Sequence, residues 1–172
     1  RSTTDRCIGG TVWKIPTLYG NSHDILQTPD TITFRYESMR TSRTIRLNQP
    51  HISQKIRPLY GDSIGWWEGN TLVVETTNFP DTVDYRGYSA QDLRVIERFT
   101  RIGPKMVEWS MTFDNPKVWT RDWTYSYPMT QDDTQPIFEY ACHEGNFGLA
   151  NILSAGRTAE KQTGSSSMKT GK

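Results

Sequence analysis

Between about residue 24 and residue 142 the chain alternates apolar and polar positions with a period of two. Val, Ile, Thr and aromatic residues are frequent, and Gly, Pro, Asn and Asp punctuate the pattern. Eight segments carry it. The first four are DTITFRYE (30–37), RTIRL (43–47), IGWWEG (64–69) and NTLVVETTNF (70–79). The second four are LRVIERFTRI (93–102), KMVEWSMTF (105–113), WTRDWTYSY (119–127) and IFEYAC (137–142). The connections EGN (68–70), GP (103–104) and DNP (114–116) are of hairpin length, which predicts antiparallel neighbours. A meander of about eight strands avoids exposed edges by closing on itself. The expected fold is therefore mainly β, a single-domain antiparallel meander closed into a small lipocalin-like barrel.

The pattern changes at NFGLANILSAGR, where Phe147, Leu149, Ile152 and Leu153 fall near one face of a short helix and Gly156 is a suitable stop. Such a helix, laid across a barrel end, would bury that face. Residues 158–172 are polar, rich in Ser, Gly and Lys, and without apolar period, so they read as a flexible tail behind a domain of residues 1–157. Two connections exceed hairpin length, 48–62 and 79–92, and loops of this size at a barrel mouth either cover it or carry ligand contacts.

Composition narrows the partners. Twenty Lys and Arg against nineteen Asp and Glu give a formal charge of +1, mixed along the chain, and no basic run points to nucleic acid or to a membrane surface. No stretch approaches the roughly 18 apolar residues of a membrane-crossing helix. The chain starts at Arg1, as expected of one that has been processed or trimmed. Its two cysteines, Cys7 and Cys142, bracket the patterned region. Bridged, they would stabilise the fold by about 5 kcal/mol through loop entropy, in an oxidising compartment; the alternative is two separate buried thiols. No CxxC or CxxH spacing marks a metal centre, and no cofactor motif is present.

Strand parity picks out misplaced charges. Glu97 shares a face with Leu93, Val95 and Phe99, so it is expected to point inward. In WTRDWTYSY the odd positions Trp119, Arg121, Trp123, Tyr125 and Tyr127 form an aromatic face holding one arginine. A buried arginine needs an acidic partner, and Glu97 with Arg121, or Arg35 with Glu139, are the candidate pairs. Both faces around Glu75 are apolar, and parity leaves its direction open. His51 lies in the first long loop and His143 is followed by Glu144; with Asp62, Glu97 or Glu144 either histidine could serve proton transfer. A serine triad fits poorly, because no G-x-S-x-G elbow occurs and GDSIG (61–65) lacks the strand-to-helix context.

The blocks GDSIGWWEGNTLVVETTNF (61–79), LRVIERFTRI (93–102) and FEYACHEGNFGLANILSAGR (138–157) resemble a family of exported bacterial proteins with GDSxGxWEGxTLVVxTTNF and YACHEGN blocks, over most of the chain from Arg6 to Arg157. Members are similar in an early cysteine and in the block that here runs from Cys142 to Asn146, and they often have Asp where this chain has Asn70. The resemblance implies export, to a periplasmic or extracellular location, and supplies no reaction.

Three functions fit these readings. One is a barrel that binds a small aromatic, sugar or anionic ligand, with Arg35, Glu97, Trp109, Trp119, Arg121, Trp123 and Tyr125 as lining. Another is an acid/base enzyme, a lyase, isomerase or hydrolase, using His51, Asp62, His143 and Glu144. The third is a structural or accessory subunit of an exported assembly, held to other subunits by surface aromatics and the C-terminal tail.

Overall fold

A computed structural model describes residues 7–9, 12, 16, 18–85 and 88–167. They fall into two compact units, Gly9–Tyr140 and a smaller one made of Arg1–Ile8 with Ala141–Lys172.

The larger unit is one eight-stranded sheet curled into a half-barrel, the mainly β, barrel-like fold expected. Its strands are β1 (His23–Gln27), β2 (Thr31–Tyr36), β3 (Ser42–Leu47), β4 (Asp62–Glu68), β5 (Thr71–Thr77), β8 (Arg94–Gly103), β9 (Met106–Asp114) and β10 (Trp123–Thr130). A separate two-stranded ribbon, β6 (Asp84–Tyr85) with β7 (Tyr88–Ser89), interrupts the second long loop. The order across the sheet is β1-β2-β3-β4-β5-β8-β9-β10, which leaves β1 and β10 at the two ends.

Alternation decides which face is inner. Ile32, Phe34 and Tyr36 from β2, Ile45 and Leu47 from β3, Val95 and Phe99 from β8, and Trp109, Met111 and Phe113 from β9 are buried in a common core. The curl brings distant strands together. Phe34 of β2 stacks against Phe99 of β8 with ring centroids 5.0 Å apart, and His23 of β1 lies edge-on to Trp109 of β9 at 5.6 Å. Each buried Phe or Leu of this size stabilises the fold by about 1.5–3 kcal/mol relative to exposure.

Three elements differ from the sequence reading. β3 and β4 pair in parallel, through Arg46 opposite Ile64 and Leu47 opposite Gly65, where a pure antiparallel meander was expected. A parallel neighbour cannot be reached by a tight turn, and residues 48–61 form the crossover. Left-handed backbone at Asn48 (φ 53°) and Gly61 (φ 70°) bends its two ends. A Cβ at Gly61 would stand 2.5 Å from the Thr77 carbonyl, so that position needs glycine for space as well as for conformation.

Residues 137–142 form no strand; the eighth strand is instead HDILQ, at the start. Side chains hold the 137–140 part in place of a ladder, Tyr140 stacking on Tyr19 and Glu139 pairing with Arg40.

In the smaller unit Cys7 and Cys142 are disulfide-bonded, with Cα atoms 5.6 Å apart. Asn146 Nδ2 donates to Cys7 Sγ at 3.0 Å, and Gly145 (φ 71°) turns the chain into α1 (Gly148–Ser167). The helix passes through Gly156 and includes residues 158–167, which were expected to form a flexible tail. Gly156 lacks the positive φ of a helix-ending cap, and a glycine inside a helix costs only about 1 kcal/mol. Thr158 and Thr163 donate their hydroxyls back to the carbonyls of Ser154 and Ala159, at 2.9 and 3.1 Å. Phe147, Ile152 and Leu153, expected on a buried face, are exposed. Residues 168–172, the end of the expected tail, lie outside the described residues.

Candidate functional site

Two polar clusters stand out in the larger unit, one on each face of the sheet. On the inner face Arg43 of β3 and Glu97 of β8 form an ion pair at 2.7 Å, with side chains 4% and 0% exposed. Glu97 therefore points inward as parity predicted, but its partner is Arg43, where Arg121 was a candidate. Trp109 donates its indole N–H to the second Glu97 oxygen at 3.1 Å, and the Arg43 guanidinium carbon lies 5.5 Å from the Phe34 ring centroid.

This pair shapes its neighbours. Burial would lower the affinity of Arg43 for its proton, yet Glu97 and Tyr36 raise it on balance, so the guanidinium stays charged. Burial pushes the Tyr36 hydroxyl up to about 12; Arg43 opposes that shift and Glu97 adds to it. Tyr127 of β10 is likewise raised, by burial first and then by Tyr125, Glu97 and Tyr36. Both phenols are thus kept neutral.

Toward the end of the sheet the inner face becomes half-buried and aromatic. Trp123, Tyr125, Tyr127 and Met129 of β10 point inward, alternating with exposed Thr124, Ser126, Pro128 and Thr130. Phe113 and Trp123 stack with centroids 4.5 Å apart and planes 8° from parallel, and Tyr125 and Tyr127 stack at 6.2 Å and 7°. Trp119 meets Trp123 edge-on at 5.7 Å. The result is a row of half-buried rings packed against the core.

On the outer face the crossover loop delivers His51 between two carboxylates. Its Nδ1 is 2.7 Å from Asp62 Oδ2 and its Nε2 is 3.0 Å from Glu75 Oε1. Arg46 donates to both Asp62 oxygens at 2.9 and 3.0 Å, the Ile52 amide donates to Asp62 at 3.0 Å, and Arg94 Nε donates to Glu75 at 2.8 Å. Burial would raise the Asp62 carboxyl, but the hydrogen bonds from His51, Ile52 and Arg46 outweigh it and hold the group below its ordinary range. Asn78, left-handed at φ 59°, ties the same loop by donating to the carbonyls of Ile52 and Ser53.

Of the residues singled out in the sequence, the structure joins His51 with Asp62, and gathers Glu97, Trp109, Trp119, Trp123 and Tyr125 on the inner face. Arg35 sits on the outer face, paired with Asp24 in place of Glu139. Arg121 is exposed in the bend before β10, outside the alternating face assigned to it. His143 and Glu144 are exposed residues of the smaller unit. The sequence reading missed Arg43, although it shares parity with Ile45 and Leu47, and missed Glu75, Arg46 and Arg94 as partners around His51. Among the described residues no cluster of His, Cys, Asp and Glu is arranged to hold a metal ion, and no helix is long and apolar enough to cross a membrane. Comparison with protein-family models, with curated proteins and with solved structures finds no match.

Proposed function

We propose that the chain is an exported binding protein that holds a small planar or sugar ligand against the aromatic row of β10. The observation that supports this reading is the row itself. Trp123, Tyr125 and Tyr127 are half-buried and stacked, whereas the deeper rings of Phe34, Trp109 and Phe113 are fully enclosed. Rings already fixed by packing and only half-buried lose little freedom when a flat ligand stacks on them. Arg121, exposed just ahead of the strand, is available to an acidic group on such a ligand.

The disulfide supports an oxidising compartment, periplasmic or extracellular, in line with the exported family the sequence resembles. Acid/base chemistry at His51 is the weaker reading, because both of its ring nitrogens already face carboxylates within the chain. The test is a titration with aromatic compounds and oligosaccharides, followed by tryptophan fluorescence and calorimetry. Saturable binding that falls roughly three- to tenfold in each of Trp123→Ala and Tyr125→Ala, and is unchanged in Trp67→Ala, is the expected result. Binding that ignores the row, or no binding across the panel, overturns the proposal.

A further inference from the structure

The bridge between Cys7 and Cys142 is built unevenly. Cys7 holds a left-handed backbone, φ 56°, in a region that residues with a Cβ seldom adopt. Such a conformation persists only while its surroundings impose it. The covalent tie to Cys142, 135 residues along the chain, is one of those constraints. Cleavage removes it, and relief of the Cys7 backbone then favours the open form.

The two sulfurs also differ in what faces them. Asn146 Nδ2 donates to Cys7 Sγ at 3.0 Å. A disulfide sulfur accepts such a bond weakly, whereas a thiolate accepts it strongly, because a hydrogen bond to the charged form favours that form. Gly145, left-handed at φ 71°, makes the bend before Asn146, and the Asn146 amide closes the same turn by donating to the His143 carbonyl at 3.3 Å. The side-chain donor is therefore in position before any charge develops on the Cys7 sulfur. Cys142 is half-buried, and its chain neighbours Ala141 and His143 are exposed, so solvent reaches it.

We propose that Cys142 is a modification site for small thiols of the glutathione type, with Cys7 as the leaving sulfur. The incoming thiolate bonds to Cys142 Sγ, the bond between the two cysteines breaks, and its electron pair departs on Cys7 Sγ, where Asn146 holds it. The proton of the thiol goes to solvent, and the exchange needs no other oxidant or reductant. A stabilised thiolate leaves faster, so attack is directed to Cys142 rather than to Cys7. Return of the Cys7 thiolate onto the adduct expels the small thiol and restores the bridge, which makes the modification reversible. Cys7, Cys142, Gly145 and Asn146 all belong to the smaller unit, and none is part of the aromatic row.

The experiment treats the full chain, with its disulfide intact, with reduced glutathione, quenches with N-ethylmaleimide and locates the adducts by peptide mass spectrometry. Glutathione is expected on Cys142 and maleimide on Cys7, with the reverse pattern roughly tenfold rarer. In Asn146→Ala the rate of opening is expected to fall roughly three- to tenfold and the preference for Cys142 to shrink, with an unchanged circular dichroism spectrum. Asn146→Asp, which sets a carboxylate beside the developing thiolate, is expected to slow opening at least as much. Glutathione on Cys7 as often as on Cys142 overturns the proposal. So does a rate indifferent to Asn146→Ala, or opening only at denaturant concentrations that unfold the chain.

Discussion

His51 Nδ1 lies 2.7 Å from Asp62 Oδ2, so the loop that makes the parallel crossover is fastened to the first residue of the strand it leads into. Glu75 holds the other ring nitrogen at 3.0 Å, from the next strand along. Carboxylates only accept, so the ring donates on both sides when both nitrogens carry hydrogen. Replacing His51 by Ala leaves two partly buried carboxylates short of a donor. The expected loss is about 1.5–3 kcal/mol of stability, the range for hydrogen bonds to charged groups. Thermal melts measure it, and hydrogen exchange should speed up at the Ile52 amide, which donates to the same Asp62 oxygen. An unchanged melt with unchanged exchange would show that the loop is held without the ring.

Asp62 gives the cluster an acid limit. Its folded carboxyl titrates below the ordinary value of 3.8, so the unfolded chain takes up the proton first as pH falls. Stability from this group is fully present above the ordinary value and is lost as pH falls through the lower folded one. Asp62→Asn removes the titration. Its melting temperature, lower at neutral pH, should therefore fall less steeply than that of the wild type below about pH 4. Parallel curves for the two proteins would assign acid unfolding to other carboxylates.

How far the sequence carried depended on whether a feature is local. Glu97 was legible because Val95 and Phe99 fix the inward parity of its strand, and both are buried. Glu75 was not, because β5 is buried on both faces, with Val73 at 2% and Val74 at 0% exposure, and alternation then carries no sign. The parallel pairing of β3 with β4 is a tertiary choice that no turn dictates; only the length of the 48–61 loop hinted at it. HDILQ was passed over because two apolar residues make a weak period, while IFEYAC has the composition of a strand and finds no ladder. Proximity of His51 and Asp62 was legible as chemistry, through residue type, and their geometry only through the fold.

Tyr36 sets an alkaline limit of opposite sign. Burial pushes its folded value up to about 12 against an ordinary 10.0, so the unfolded chain ionises first as pH rises. Stability from the neutral phenol is whole below pH 10.0 and is lost progressively toward 12. Tyr36→Phe keeps the ring stacked beside Phe34, whose centroid is 6.1 Å away, and removes the ionisable hydroxyl. The variant should therefore lose less stability than the wild type across that window, measured by denaturant unfolding at stepped pH. Equal losses would mean that other tyrosines carry the alkaline transition.

Arg43 and Glu97 test whether the inner polar centre is required for stability. Removing either partner strands the other charge in a site that is at most 4% exposed. Arg43→Met and Glu97→Leu alone should each cost about 3–5 kcal/mol. The double variant removes both charges together. The buried Arg43 Nε and Nη2 have no hydrogen-bond partner among the described residues, so the desolvation of this guanidinium is incompletely repaid. The double variant is therefore expected to recover most of the loss, with a coupling energy of several kcal/mol in a double-mutant cycle followed by urea unfolding. Retained ligand binding in that variant would confine the pair to the scaffold. Lost binding in a folded double variant would make the ion pair part of the floor on which the ligand rests. Additive losses, with no recovery, would mean that Trp109 and Tyr36 need the charges to hold their own positions.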